Sequence, residues 1–175
     1  SCISILNVLN LDLRVMKENF INSSVPEGRG DIKIVKKFNK KFILIDESYN
    51  ANPLSMKSAI ENMNSYQRKN NERKIVFLGD MLELGKKSKR LHKSLSILIN
   101  NSDIDKVYVC GKNIRETFNL LSMNKKGKIF KDLREAYRYF GKFIHNNDLL
   151  MIKGSNATGL NKFSKNIKKD LASVI

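Results

Sequence analysis

Ile75-Val76-Phe77-Leu78-Gly79-Asp80 is four apolar residues closed by a glycine and an acid; a helix-patterned stretch, Ser88 to Asn100, and then Val107-Tyr108-Val109-Cys110-Gly111 follow it. An uninterrupted apolar run leaves no face of a strand for water, the pattern of a strand covered on both sides. Between the two runs Leu91, Leu95, Leu98 and Ile99 mark one helical face. Strand, crossover helix and second apolar strand make a βαβ unit, with parallel strands and a right-handed connection.

The same beat extends outward in both directions. Toward the C-terminus, Ile114, Phe118 and Leu121 mark a helix, Lys128 to Phe130 a brief strand and Leu133 to Phe143 a helix. Leu149 to Ile152 is then a strand ending in Lys153-Gly154-Ser155, and Leu160 to Leu171 a closing helix. Toward the N-terminus, Met56, Ala59, Ile60 and Met63 line one face of a helix from Ser55 to Tyr66. Ile32 to Phe38 and Phe42 to Asp46 read as two strands turning at Asn39-Lys40, a hairpin by length. The expected fold is α/β: a Rossmann-like, doubly wound, mostly parallel sheet of about six strands, with a leading hairpin that supplies an antiparallel edge strand and helices on both faces. Upstream, Ile3, Leu6, Leu9, Leu13, Met16 and Phe20 suit one more helix, and Asn22 to Gly30 is an aperiodic, Pro- and Gly-bearing linker. The expected organisation is residues 1–25 as a helix plus linker belonging to a neighbouring domain, and residues 26–175 as the α/β domain.

The chain has 175 residues, 41% hydrophobic and 29% charged, enough for one packed domain plus a remnant. It lacks an initial Met and a basic leader before an apolar core, so it reads as a fragment. Lys and Arg number 33 against 17 Asp and Glu, a net charge of +16 that invites a nucleic-acid reading. The lysines, however, are scattered at turns and helix ends with little aromatic interleaving. Lys, Asn and Ile share A/T-rich codons, so the charge is read as codon bias and not as a nucleic-acid site.

No window approaches 18 consecutive apolar residues, which argues against a membrane-spanning helix. Cys2 and Cys110 are too few and too far apart for a disulfide framework or zinc knuckle. His92 and His145 are not spaced as metal ligands, no metal site is expected, and His92 reads as a structural histidine. There is no GxxxxGK[ST] loop and no GxGxxG after a strand, so neither nucleotide triphosphate hydrolysis nor dinucleotide binding can be completed within the chain.

In an open α/β sheet, ligands bind beyond the carboxyl ends of the strands. Those ends carry the chain's polar and glycine-rich strings: Asp46-Glu47-Ser48-Tyr49-Asn50-Ala51-Asn52-Pro53, Gly79-Asp80-Met81-Leu82-Glu83-Leu84-Gly85, Gly111-Lys112 and Lys153-Gly154-Ser155-Asn156. Any one of them can serve merely to turn the chain; all four at one edge point to a site.

Gly28-Arg29, the run Asp46 to Pro53 followed by Ser55-Met56, the run Leu78 to Gly85 followed by His92, and Lys153-Gly154-Ser155 together resemble the C-terminal domain of the Mur ligases. The resemblance runs from Pro26 to the C-terminus and is most similar to the branch that uses D-alanyl-D-alanine; Ile3 to Phe20 looks like the last helix of the family's central domain. It implies a cytoplasmic, ATP-dependent amide ligase of peptidoglycan synthesis whose partners are UDP-N-acetylmuramoyl-tripeptide, D-alanyl-D-alanine and ATP. The phosphate loop and Mg2+ ligands would then lie in domains absent from this chain, which alone would not catalyse. A ligase of the same superfamily for another amino acid or folate is the alternative.

On this resemblance Arg29, at the hinge, is the candidate catalytic residue, its guanidinium reaching a phosphate as the domain closes. Asp46 or Glu47 would hold ribose hydroxyls. Tyr49 offers a stacking face, and Asn50 and Asn52 offer donors and acceptors for adenine or an amide. Asp80 and Glu83 would attract the dipeptide's ammonium. Lys153, Gly154 and Ser155 would seat a carboxylate or phosphate. Asn156 departs from the family's usual Arg, which removes any charge contact made there.

Overall fold

The computed structural model describes residues 26–68 and 72–169. The expected helix Ile3 to Phe20, the boundary at residue 25 and the end of the closing helix beyond Lys169 lie outside the described residues. Six strands form one sheet: β1 (Asp31–Lys37), β2 (Lys40–Glu47), β3 (Lys74–Gly79), β4 (Lys106–Cys110), β5 (Lys126–Phe130) and β6 (Leu149–Lys153). The helices are α1 (Pro53–Ser65), α2 (Ser88–Asn100), α3 (Arg115–Asn119), α4 (Leu133–Phe143) and α5 (Leu160–Lys168). Strand order is β1-β2-β6-β3-β4-β5; β1 runs antiparallel to β2 and every other pair is parallel. This is the doubly wound, mostly parallel sheet that the sequence implied, its hairpin at one edge.

The continuous apolar runs are what bury the centre. All residues of β3 and of β6 are buried. Alternate side chains of these strands feed two cores. Met56, Ile60, Leu95, Ile99 and Phe118 cover one face from α1, α2 and α3. Phe140, Phe143, Phe163 and Ile167 cover the other from α4 and α5. Phe77, packed edge-on against Phe130 and Phe163 at centroid distances of 5.8 and 5.0 Å, ties the sheet to the second layer.

Two local details differ from the sequence reading. The hairpin turns at Phe38-Asn39, one residue earlier than expected, with φ of 53° and 56°. Phe38 takes this left-handed conformation because its ring packs on α4, 5.7 Å from Tyr137 and 5.8 Å from Phe140. Gly141 makes the room, since a Cβ there would lie 3.3 Å from Phe38 Cβ. The helix marked by Ile114, Phe118 and Leu121 spans only Arg115–Asn119. All three apolar residues are buried as expected, but Leu120 N and Leu121 N bond three residues back, to Thr117 O and Phe118 O, which tightens and ends the helix.

Several lysines are not a solvated face. Lys37 Nζ donates to Asn166 O and Lys169 O at 2.7 Å, and Lys125 Nζ to Ser102 O and Ile104 O at 2.7 Å. Lys74 Nζ, buried, donates to Asn64 O at 2.9 Å and pairs with Asp103. These cations close chain ends and turns by donating to carbonyls that would otherwise be buried without partners.

Candidate active site

β2, β6 and β3 end side by side, and the chain connections diverge to opposite faces there: α1 and α2 lie over one face, α5 over the other. That crevice is where an open α/β sheet holds ligands. Its floor is made of two glycines. A Cβ on Gly79 or on Gly154 would fall 2.6 Å from Leu160 Cδ1, so both strand ends must lack a side chain for α5 to close against them.

From β6, Lys153 enters this floor almost fully buried, and its Nζ donates to Glu47 Oε2 at 3.2 Å and Asn50 O at 3.1 Å. It thus ties the end of β2 to the loop before α1. Ser155 Oγ donates to Ala51 O at 3.2 Å and accepts Leu82 N at 2.9 Å, while Ser155 N donates to Asp80 O at 3.0 Å. Residues from three strand ends, 46–53, 79–85 and 153–155, are therefore one hydrogen-bonded unit. The sequence placed them together, and the structure joins them.

The loop before α1 is rigid for a local reason. Asn52 is the N-cap: its Oδ1 accepts Ser55 N at 2.8 Å while Asn52 N donates to Ser55 Oγ at 3.0 Å, and Pro53 occupies the first turn. Asn50 Oδ1 accepts Ala51 N at 2.8 Å. Asn50 and Asn52 line a cavity of about 780 Å³ with Leu82, Glu83, Ser155 and Asn161, so their amide groups border the crevice while one oxygen of each serves the fold. Glu83 is exposed at this cavity and holds φ of 62°, a conformation that non-glycine residues seldom take.

Asp46 and Glu47, left open as ribose candidates, separate clearly. Asp46 is buried: Oδ1 accepts Ser48 N and Ser48 Oγ, and Oδ2 accepts Ser164 Oγ at 2.6 Å and Lys168 Nζ at 2.5 Å. Burial alone raises its pKa, but the hydrogen bonds from Lys168, Ser164 and Ser48 outweigh this and hold the carboxyl below its ordinary value. Glu47 is partly exposed beside Lys153 at the crevice. Lys168 also pairs with Asp31 Oδ2 at 2.7 Å, and Asp31 Oδ1 accepts Gly28 N at 2.8 Å. Lys168, which the sequence did not single out, thereby locks the turn around Arg29 to β2 and α5.

That turn lies flat on the end of β2. Tyr49 N donates to Gly28 O at 3.0 Å and Gly30 N to Asp46 O at 2.7 Å. Arg29 is exposed, with its guanidinium 4.3 Å from the Tyr49 ring centroid. Arg29 and Tyr49 are thus brought together at the rim of a smaller cavity of about 230 Å³ lined by Glu27, Tyr49, Asn156, Asn161 and Lys165.

Asp80 sits where expected but is differently engaged. Its carboxylate accepts Lys112 N at 2.9 Å, Asn113 N at 3.0 Å and Ile114 N at 2.7 Å, holding the loop after β4. Gly111 is required beside it, since a Cβ there would lie 2.5 Å from Asp80 Oδ1. His92, fully buried, accepts Met81 N at Nε2 (3.0 Å), and its Nδ1 faces Ser88 O at 2.8 Å; the ring is the structural one that the sequence suggested. Among the described residues no group of three His, Cys, Asp or Glu side chains gathers as a metal cage, and no helix is long and apolar enough to cross a membrane.

With this geometry in place, comparison with known proteins is specific. The family described as Mur ligase, glutamate ligase domain matches residues 32–156. A UDP-N-acetylmuramoyl-tripeptide–D-alanyl-D-alanine ligase of Rickettsia prowazekii is 32% identical over 90% of the chain, and one of Buchnera aphidicola is 30% identical over 93%. The chain spans about a third of the length of these relatives, 34% in each case. Among solved structures, the MurF ligase of Thermotoga maritima in complex with ADP shares the fold at a TM-score of 0.73 and 20% identity, over 97% of this chain and 36% of that one. A MurF from Acinetobacter baumannii does so at 0.73 over 96% and 36%. The chain belongs to the Mur ligase family and corresponds to its C-terminal domain.

Proposed function

We propose that this chain is the closing domain of an ATP-dependent ligase that joins D-alanyl-D-alanine to UDP-N-acetylmuramoyl-tripeptide in the cytoplasmic stage of peptidoglycan synthesis, with residues 1–25 belonging to the preceding domain. The observation that carries this is the unit built by Lys153 and Ser155, three strand ends cross-linked at one crevice, in a chain 32% identical to a ligase of this activity. ATP transfers its terminal phosphoryl group to the tripeptide carboxylate and leaves as ADP; the dipeptide ammonium gives up a proton, and the resulting amine bonds to that carbonyl carbon as phosphate leaves. The magnesium ion that accompanies ATP is assigned, with the phosphate loop, to the rest of the enzyme.

The chain's own residues then take defined roles. Glu47 accepts the ribose hydroxyls, since Asp46 is consumed within the fold. Tyr49 offers a ring for the base, and Asn50 and Asn52 their amides. Arg29 leaves Tyr49 to meet phosphate as the domain closes, which places a delocalised cation on developing charge. Lys153 holds Glu47 and the Asn50 carbonyl within the nucleotide loop, and Ser155 joins that loop to the acceptor loop. Glu83 attracts the ammonium of the acceptor, and Asp80 positions the loops around it.

The test uses the full-length gene product with ATP, magnesium and UDP-N-acetylmuramoyl-tripeptide. Phosphate release that requires D-alanyl-D-alanine supports the proposal; release with glutamate or a folate instead would assign the chain to another branch. Saturable binding of DNA or RNA near physiological salt, with no ligation, would replace it with a nucleic-acid module.

A further inference from the structure

Residues 32–42, which form most of the edge strand β1, the hairpin turn and the start of β2, hold five lysines and no acid. Lys37 is spent inside the fold, but the side chains of Lys33, Lys36, Lys40 and Lys41 have no ion-pair partner among the described residues. On the same strand Ile32 and Ile34 are 55% and 67% exposed. Ile32 stands opposite Ile45, Ile34 opposite Ile43 and Lys36 opposite Lys41, so these six side chains share one face of the hairpin. Ile43 and Ile45 rest against the first core, and a strip of four isoleucines thus runs into two lysines toward the turn. At the turn, Lys36, Phe38, Lys40, Lys41 and Asn146 line a hollow of about 390 Å³.

An edge strand that only has to avoid other strands carries charge; bare isoleucines on it invite association. The matching partner is apolar beside the isoleucines and anionic beside the lysines. Aliphatic side chains give single-stranded nucleic acid little to stack on. A bilayer with anionic headgroups supplies both chemistries in one interface. We propose that the β1–β2 hairpin docks the protein edge-on to an anionic membrane surface, with Ile32 and Ile34 among the headgroups and Lys36, Lys40 and Lys41 on their phosphates. The unpaired backbone edge of β1 needs water or headgroups, which holds the contact at interface depth and excludes insertion. A strand laid along the surface leaves its ends uncovered, so the crevice beyond β2, β6 and β3 stays open to solution.

The inference stands apart from the ligase reading, because its readout is binding in the absence of substrate. The full-length gene product is floated with vesicles of phosphatidylglycerol and, separately, of phosphatidylcholine. Binding to the first and not to the second is expected, weakening as salt is raised. The Lys36→Gln, Lys41→Gln double variant should bind about twentyfold more weakly, at about fivefold per lysine, and Ile34→Ser about fivefold more weakly. Lys86→Gln, Lys87→Gln removes the same charge between β3 and α2, at the crevice end, and should change binding by less than about twofold. Wild type that ignores both kinds of vesicle overturns the proposal. So does an equal loss in the two double variants, which would mean diffuse attraction of the whole charge. Saturable RNA binding lost in Lys36→Gln, Lys41→Gln, with no vesicle binding, would make the strip a nucleic-acid surface. Dimerisation lost in Ile34→Ser, again with no vesicle binding, would assign it to a second copy of the chain.

Discussion

Replacing Asp80 with asparagine separates scaffold from ligand chemistry. Oδ1 accepts Asn113 N and Ile114 N, and Oδ2 accepts Lys112 N. An asparagine keeps one acceptor oxygen for the first two. It loses the charge, however, and turns an NH2 group toward the third N–H. The lost charge-assisted bond is worth about 1.5–3 kcal/mol, and the part-buried Lys112 N–H left without an acceptor adds about 1 kcal/mol, the low end of the desolvation penalty. A net cost of about 3 kcal/mol follows. At a urea slope of about 1–3 kcal/mol/M, the unfolding midpoint of the chain should fall by about 1–3 M. Amide exchange at Lys112, Asn113 and Ile114 should quicken together, because one side chain holds all three. An unchanged midpoint, with ligation lost in the full-length enzyme, would falsify the scaffold role and return Asp80 to the ligand.

Other expectations follow from the same geometry. Gly154→Ala places a methyl 2.6 Å from Leu160 Cδ1 and should cost about 1–3 kcal/mol, with partial recovery in the Gly154→Ala, Leu160→Ala double variant by thermal unfolding. Asp46 is held below its ordinary carboxyl pKa and Lys168, by its bonds to Asp31 and Asp46 overcoming burial, above its ordinary ammonium pKa. Their contribution is therefore complete between about pH 4 and pH 10, is lost as pH falls through the lowered Asp46 value, and is lost at the other end as pH rises through the raised Lys168 value. Denaturation curves of Asp46→Asn should show a shallower acid limb than wild type. Cys110 should react with iodoacetamide at pH 8 far more slowly than a free thiol, read by mass mapping of its peptide.

Much of the fold was legible because burial on both faces leaves a mark: Ile75 to Leu78 and Leu149 to Ile152 are unbroken apolar runs too short for a helix and bounded by polar residues or glycine, and both are central strands. Strand order was not legible, since nothing local says that β6 slides between β2 and β3. The shortness of α3 was not legible for a related reason. Asp80, more than 30 residues upstream, holds the loop that leads into it. At the site, the strings 46–53 and 79–85 announced themselves by composition. Asp46 looked as available as Glu47 because Lys168, which buries it, comes from α5. The net charge was a poor guide as well, since Lys37 and Lys125, which add to the +16, close carbonyls inside the fold.

The place of β6 has a consequence for how the molecule comes into being. β2 and β3 have no ladder with each other; each pairs with β6, whose residues 149–153 are the last of this sheet's six strands to leave the ribosome. Until then the nascent chain holds a hairpin on one side and β3, β4 and β5 on the other, with two long apolar edges awaiting one insert. Parallel pairings across about 100 residues form slowly and expose such edges to aggregation meanwhile. The strand that completes the sheet also delivers Lys153, Gly154 and Ser155, so the crevice and the finished fold arrive in a single closing event. A chain truncated before Leu149 should leave the hairpin unjoined to the remaining strands, and no partly working site should accumulate along the way.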